Sequence, residues 1–240
     1  LDNGYMETAL RAYNNLSVAL TAEENERILE CLEKGYELAK KIGHISLRSF
    51  IGTNLAWNYW GRGNMKKTMS LVEDSVVLDR KTGNMPNLSF SLGTLGLVYF
   101  ALGEWEKGEQ YLQEKMSISQ KLNDLQQIIS SYGWLGWVNL IKGEYSKARE
   151  LYEEAYEVCE KTGMKDYQMW FSGQVAWTCI ELGEFEKASN LLEKLYEFAL
   201  KVKNKELIAW ADARKGMLLR AQRKWEESIQ SFEKSLQEYE

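Results

Sequence analysis

A short motif recurs along the chain at a constant spacing of 40 residues. In every copy but the last it begins with glycine and ends in lysine, and in most copies an aromatic residue stands two positions after the start. The copies are Gly63-Asn64-Met65-Lys66-Lys67, Gly103-Glu104-Trp105-Glu106-Lys107, Gly143-Glu144-Tyr145-Ser146-Lys147, Gly183-Glu184-Phe185-Glu186-Lys187 and Arg223-Lys224-Trp225-Glu226-Glu227. A repeat of fixed length without insertions predicts a row of equal structural units, each packed against its neighbours.

A second series with the same period falls midway between these motifs. Its members are Gly43, Gly83, Asn123 and Gly163. Glycine and asparagine tolerate the left-handed backbone conformation that commonly follows a helix C-terminus. Each unit is therefore predicted to contain two helices, each closed by such a residue. Lys203 interrupts the series, and we expect the adjacent Asn204 to take over this role.

The segments between these stops have helical periodicity, with apolar residues recurring three and four positions apart. The single proline, Pro86, stands where a helix is predicted to start, a position that tolerates proline. The first helix of each unit, helix A, is predicted at about 47–61, 87–101, 127–141, 167–181 and 207–221. The second, helix B, is predicted at about 65–81, 105–121, 145–161, 185–201 and 225–239. An earlier unit is predicted at about 6–20 and 24–42.

Large and small residues alternate at fixed places in these helices. Helix A carries the pairs Leu55-Ala56, Leu95-Gly96, Leu135-Gly136 and Val175-Ala176. The small residues of helix B are Gly108, Ala148 and Ala188. This pattern resembles the tetratricopeptide repeat family, although the usual period of that family is 34 residues. The longer period is similar to repeats in larger bacterial and archaeal signalling proteins.

The resemblance implies an all-α fold, a right-handed superhelical solenoid of about six antiparallel helix hairpins. The whole chain, 1–240, is expected to form a single domain. Its units are expected at about 5–43, 44–83, 84–123, 124–163, 164–203 and 204–240. The chain starts with Leu1 and ends at Glu240 in an unfinished amphipathic pattern, so we expect it to be a fragment of a longer protein.

In the tetratricopeptide family, helix A lines the concave side, so the resemblance implies that a partner would bind along one stripe of helix A. Residues at three- and four-residue spacing share such a stripe. Six of the nine tryptophans lie on it. The candidate binding residues are Phe50, Trp57, Trp60, Phe90, Leu97, Phe100, Trp137, Trp170, Trp177, Trp210 and Arg220.

Two interpretations of the tryptophan stripe are open. The rings can pack between the A helices of successive units, in which case Gly133 and Gly173 would make room for Trp137 and Trp177, one turn later. Part of the stripe can instead be an open aromatic groove, because exposed apolar surface and tryptophan are both typical of binding sites. The two interpretations can hold for different rings.

Three functions fit this pattern. The first is a protein–protein interaction module that holds a peptide or an amphipathic helix in the aromatic groove. The second is a sensing domain of a larger signal-transduction protein, with a small molecule as its ligand. The third is a scaffold in which the uncapped ends of the array pair to form a homodimer.

Charge and hydropathy argue against two classes of partner. The net charge is −5 and the pI about 5.3, whereas proteins that bind nucleic acid are usually basic or carry a basic stripe. The basic stretch between Lys201 and Lys224 is interpreted as solvated helix ends. No apolar run approaches the ~18 residues of a membrane span. We therefore expect no nucleic acid and no membrane as partners of this chain.

The side chains that serve catalysis are sparse. The only histidine is His44, and the three cysteines, Cys31, Cys159 and Cys179, lie far apart. Neither pattern predicts a metal site, a disulfide framework or a nucleophile with its base. Glycine-rich phosphate-binding motifs are also missing from the sequence. The sequence predicts a non-enzymatic, cytoplasmic protein without cofactor or metal.

Overall fold

The computed structural model describes residue 8 and residues 25–238, and this part of the chain consists of eleven α-helices joined by short turns. The helices are α1 (Asn25–Ile42), α2 (Ile45–Gly61), α3 (Met65–Thr82), α4 (Met85–Ala101), α5 (Trp105–Leu122), α6 (Leu125–Ile141), α7 (Tyr145–Thr162), α8 (Lys165–Glu181), α9 (Phe185–Val202), α10 (Lys205–Ala221) and α11 (Trp225–Gln237). The all-α array of hairpins is thus confirmed. Apart from residue 8, the predicted helix at about 6–20 lies outside the described residues.

Side-chain caps begin several of the A helices. Asn84 and Asn204 precede α4 and α10, and their side-chain oxygens accept hydrogen bonds from the backbone N–H groups three residues on. Pro86 lies in the first turn of α4, as predicted. These caps pair backbone donors that have no partner inside the helix, and they help to fix where α4 and α10 start.

Left-handed residues end the helices. The predicted glycines have φ between 67° and 82°, and Asn123 has φ 54°. The expectation for Asn204 is wrong, because Lys203 itself adopts φ 54° and Asn204 caps the next helix instead. The N–H of Lys203 donates to Leu200 O at 3.2 Å and that of Asn204 to Ala199 O at 3.1 Å, which pairs the last carbonyls of α9.

Paired glycines let α4 and α5 approach closely. A Cβ on Gly96 would lie 2.9 Å from the carbonyl oxygen of Gly108, and a Cβ on Gly108 would lie 2.7 Å from that of Gly96. Forty residues later, a Cβ on Gly136 would lie 2.5 Å from the ring of Tyr152. The small residues of the repeat are therefore required by helix contact and by ring packing.

Helices A and B differ in burial. Every residue of α4 from Ser91 to Phe100 is buried, whereas α9 buries only one stripe, made of Ala188, Leu192, Leu195 and Ala199. Helix B therefore carries the charged, solvent-facing surface of a hairpin, and helix A supplies most of its core.

Residue contacts divide the chain into two compact units, Leu1–Gln127 and Ile128–Glu240. The core of the first unit contains two clusters, one around Leu32 and Ile51 and one around Leu92 and Val98. The core of the second unit is one cluster centred on Tyr152, Phe171 and Leu195, all at most 2% exposed. The prediction that residues 1–240 form one domain stays a prediction.

Candidate functional site

The candidate residues of the first unit divide into surface and core. Phe50 and Phe90 are half-buried, with ring centroids 6.4 Å apart. Leu97 and Phe100 are only 1% and 5% exposed, because α4 is buried on all sides at that point. These two residues therefore belong to the core, and their assignment to a binding surface is corrected.

Two indoles of the first unit stack on each other. The rings of Trp57 and Trp60 lie 5.0 Å apart and nearly parallel, and both are half-buried. Trp57 Nε1 donates a hydrogen bond of 2.9 Å to Thr94 Oγ1 on α4. This pair joins the A helices of successive hairpins and remains half-buried.

The candidate tryptophans of the second unit all reach the surface, and we call Trp137, Trp170, Trp177 and Trp210 the indole face. Trp170 is 36% exposed and the other three are half-buried. The rings of Trp170 and Trp210 stack at 6.0 Å across α8 and α10. Arg220, at the end of α10, is exposed. These rings thus pack on neighbouring residues and remain partly accessible, and their role in binding stays a prediction.

The glycines on the stripe accommodate rings other than the expected ones. A Cβ on Gly173 would lie 2.2 Å from the six-membered ring of Trp210, on the next A helix. A Cβ on Gly133 would lie 3.5 Å from the ring of Phe171 and 4.0 Å from that of Trp170, both ordinary contacts. The expectation that these glycines make room for Trp137 and Trp177 is therefore wrong. Gly173 makes room for the tryptophan of the following unit.

One arginine lies on the indole face. The guanidinium carbon of Arg214 is 4.0 Å from the ring centroid of Trp177 and 5.1 Å from that of Trp210, so the cation contacts both indoles. Its terminal nitrogens donate to Met217 Sδ at 3.2 Å and to Gln174 Oε1 at 3.5 Å. We call Arg214, Trp177, Trp210 and Gln174 the Arg214 cluster.

The charge of Arg214 is poorly compensated. Burial lowers the pKa of this arginine to about 10 against a smaller opposing effect of Tyr152, whose own pKa is raised by burial. The buried Nε of Arg214 has no hydrogen-bond partner within the described chain, and the contacts of the side chain include no carboxylate. The described contacts of the guanidinium are therefore a thioether, an amide oxygen and two indole rings.

Sequence reasoning missed Arg214 because it followed only the tryptophan positions. A comparison of equivalent positions in the 40-residue repeat would have revealed this residue. The residues at this register position are Asn54, Thr94, Trp134, Gln174 and Arg214, and only the last of them is charged. A lone cation beside an aromatic stripe could have been recognised as a candidate site.

A second polar cluster lines a cavity of about 500 Å³ among α9, α10 and α11. Asp212 is 3% exposed, and its carboxylate lies 3.2 Å from Lys234 Nζ. Lys234 also donates to Tyr196 Oη at 2.5 Å, and these two partners raise the pKa of the lysine. In contrast to Arg214, the lysine here is paired with a carboxylate.

The described residues contain no group of three His, Cys, Asp or Glu side chains that could hold a metal ion. Every helix in the same part of the chain is too short or too polar to cross a bilayer.

Comparison with known proteins identifies the repeat. Residues 88–161 match the sequence model of the tetratricopeptide repeat. None of the curated proteins matches this chain. Many solved structures share its fold at low sequence identity, and three of them are described below.

The first is a Podosopora anserina putative kinesin light chain with nearly identical tetratricopeptide-like repeats, at 20% identity and a TM-score of 0.67, covering 81% of this chain and 95% of that one. The second is a signal transduction ATPase with a tetratricopeptide repeat sensor from Pyrococcus horikoshii. It is 18% identical, has a TM-score of 0.74, and the match covers 100% of this chain and 37% of that one. The third is the Rap conjugation gene regulator of plasmid pLS20 in complex with the Phr* peptide. It is 16% identical, has a TM-score of 0.68, and the match covers 87% of this chain and 57% of that one.

The 40-residue register, the hairpins and the small-residue contacts agree with these likenesses. Residues 88–161 therefore belong to the tetratricopeptide repeat family, and the hairpins on either side of them have the same fold.

Proposed function

We propose that this chain is a protein–protein interaction module that binds a peptide or an amphipathic helix on the indole face of its second unit. The observation that carries the proposal is the partial exposure of four tryptophans that are already fixed by packing. Rigid aromatic rings offer a large contact area and lose little side-chain entropy on binding, which makes tryptophan common in binding hot spots.

The fixed geometry of the rings supports binding of a partner to a preformed surface. Trp170 and Trp210 are held in a stack, and Trp177 is fixed by a hydrogen bond of 3.1 Å to Glu181 and by contact with Arg214. The similar fold of a Rap protein in complex with a peptide agrees with a peptide as partner.

The test uses peptides selected from a random dodecapeptide display library on the complete 240-residue chain. We expect the double substitution Trp170→Ala/Trp177→Ala to lower the affinity for the selected peptides by at least 10-fold, as loss of hot-spot rings does. The matched control is Trp225→Ala, because Trp225 is 59% exposed and lies on a B helix. If the double variant retains its helical circular dichroism and binds as the wild type does, the indole face is not the binding site.

The cavity among α9, α10 and α11 favours small-ligand sensing as a second candidate function. Its volume of about 500 Å³ falls within the range of small-molecule sites, and Asp212 and Lys234 supply polar groups inside it. A ligand at 100 times its dissociation constant would stabilise the chain by about 2.7 kcal/mol. A metabolite panel that produces no thermal shift would remove this candidate.

A further inference from the structure

We propose that the cavity among α9, α10 and α11 binds a small molecule that carries a phenol group, with the phenol hydroxyl donating to Glu193. The inference rests on the second candidate function, small-ligand sensing, and names the chemistry of the ligand. The cavity has a volume of about 500 Å³. All the residues that line it belong to the second compact unit, and they include Ser189, Leu192, Glu193 and Leu219.

The first argument is what fills the corresponding space in earlier repeats. We call the space between a B helix and the A helix that follows it the inter-hairpin gap. Tyr59 of α2 and Tyr99 of α4 lie in two such gaps, and both are 6% exposed. The hydroxyl of Tyr59 donates to Glu33 on α1, and that of Tyr99 donates to Glu73 on α3 at 3.2 Å. A buried phenol with a glutamate as its acceptor thus fills each of these gaps.

A lysine accompanies each of these tyrosines. Lys67 Nζ lies 4.3 Å from the ring centroid of Tyr59 and donates to the hydroxyl of that residue at 2.8 Å. Lys107 Nζ lies 3.9 Å from the ring centroid of Tyr99. An ammonium group over an aromatic ring is attracted by the ring electrons. The two gaps therefore combine an acceptor, a phenol and a cation.

The last repeat has the acceptor but no ring. In the 40-residue register Glu193 corresponds to Glu33 and Glu73, whereas a leucine stands at the position of the tyrosines. The residues at that position are Tyr59, Tyr99, Asn139, Cys179 and Leu219. The lysine position holds Glu227 in this repeat, but Lys215 and Lys224 line the cavity. The acceptor and the cations of the gap are therefore present without the phenol.

A second position that could fill the gap is also short in the last repeat. In the fifth repeat, Arg149 of α7 interacts electrostatically with Cys179 and pairs with Glu184 at 2.7 Å. The equivalent of Arg149 on α9 is Ser189. Because Ser189 and Leu219 are both shorter than the residues that fill other gaps, a cavity opens between α9 and α10.

The lining of the cavity favours a hydrogen-bond donor attached to an apolar ring. The carboxylate of Asp212 is already paired with Lys234 at 3.2 Å. Glu193 accepts from Ser189 Oγ at 3.5 Å, the far limit of a hydrogen bond, so it can accept a shorter bond from a ligand. The leucines of the lining supply apolar contacts for the ring, and they are Leu192, Leu218 and Leu219.

The test uses p-cresol, which is the side chain of tyrosine as a free molecule, in a heteronuclear NMR titration of the complete chain. Toluene lacks the hydroxyl group, and p-methylanisole carries a methyl group in place of the hydroxyl proton. We expect p-cresol to bind about 10- to 100-fold more tightly than both, as a hydrogen bond to a charged group allows. The amide signals that shift should belong to α9, α10 and α11.

Three variants locate the site. Glu193→Ala should lower the affinity for p-cresol to that for p-methylanisole. The matched control is Glu186→Ala, which removes the same charge from an exposed position on the same helix and should bind as the wild type does. Leu219→Tyr restores the ring from the chain itself, so it should abolish binding of p-cresol and raise the urea midpoint with unchanged helical circular dichroism.

The outcomes separate the phenol from the candidate function on which it rests. The phenol assignment is wrong if p-cresol binds no more tightly than toluene, or if its advantage persists in Glu193→Ala or in Leu219→Tyr. If p-cresol fails but another metabolite gives a thermal shift that Leu219→Tyr abolishes, small-ligand sensing in this cavity stands and the phenol does not. If neither p-cresol nor the metabolite panel binds, both are overturned, and peptide binding on the indole face is decided by its own experiment.

Discussion

The indole of Trp210 occupies the space that a side chain at Gly173 would need, since a Cβ there would lie 2.2 Å from Cη2 and Cζ3 of the ring. This contact places α10 against α8 and so brings Arg214, one turn after Trp210 on α10, beside Trp177 and Gln174 of α8. The glycine is therefore a structural requirement of the Arg214 cluster.

We expect Gly173→Ala to displace Trp210 and to lower the free energy of unfolding by about 1–3 kcal/mol, as overpacking of a core does. Urea denaturation measures this change. The matched control is Gly133→Ala, one repeat earlier, where a Cβ would make only ordinary contacts with Phe171 at 3.5 Å. Because alanine is the better helix former, the control should be neutral or more stable. Equal effects of the two substitutions would contradict the tight contact at Gly173.

Replacing Lys203 by glycine should stabilise the chain. Lys203 has φ 54°, a left-handed conformation that costs a residue with a Cβ about 1–2 kcal/mol. Glycine avoids this cost but loses more entropy on folding, so we expect a net gain of about 0.5–1 kcal/mol in urea denaturation. Lys203→Ala keeps the Cβ and should bring no gain. Equal stability of the two variants would show that the conformation at position 203 carries no strain.

Lys115 should make the stability of the first unit depend on pH. This lysine is 2% exposed, its Nζ donates to Gln127 Oε1 at 2.7 Å, and burial lowers its pKa from 10.5 to about 8. Between these two pH values the unfolded chain binds more protons than the folded one, so stability rises with pH through this window. The stability of the wild type relative to Lys115→Met should increase by about 2 kcal/mol from pH 7 to pH 9.5.

Urea midpoints of the wild type and Lys115→Met at several pH values measure this difference, and groups common to both chains cancel. Lys115→Met also loses the hydrogen bonds to Gln127, which changes its free energy of unfolding by the same amount at every pH. A difference that stays flat across the range would mean that the folded chain leaves the pKa of Lys115 near its ordinary value.

The three cysteines should differ in reactivity. Cys159 and Cys179 are fully buried, and burial raises the pKa of Cys159 to about 11 and also raises that of Cys179. A thiol reacts as its thiolate and only where reagent can reach it. With a disulfide reagent at pH 8 we expect one thiol, the half-buried Cys31, to react in the native chain and all three after unfolding. Cys31→Ser should abolish the native reaction, and a native count of three would contradict this assignment.

The fold follows from the sequence because its signals are local. The recurring glycines and Asn123 act through their own backbone conformation, so their spacing predicts where each helix ends. Lys203 escaped this reasoning, because a lysine adopts the left-handed conformation only where its surroundings impose it. The last carbonyls of α9 need the two hydrogen bonds that this conformation provides.

The candidate site is less predictable because burial depends on neighbouring helices. Leu97 and Trp177 occupy the same register position, yet Leu97 is buried and Trp177 is partly exposed. Periodicity predicts which face of a helix a residue occupies but not how deeply the next hairpin covers that face. The position of Arg214 over Trp177 and Trp210 is a tertiary contact that spacing alone does not predict.

The register shared by Asn54, Thr94, Trp134, Gln174 and Arg214 has a consequence for how such a chain evolves. Units of equal length can be duplicated without disturbing their neighbours, because each unit packs mainly on the adjacent ones. A duplicated unit can then change its recognition chemistry by one substitution at this position, from amide to hydroxyl, ring or cation. The lineage of such a protein can thus diversify its partners while its architecture is inherited unchanged.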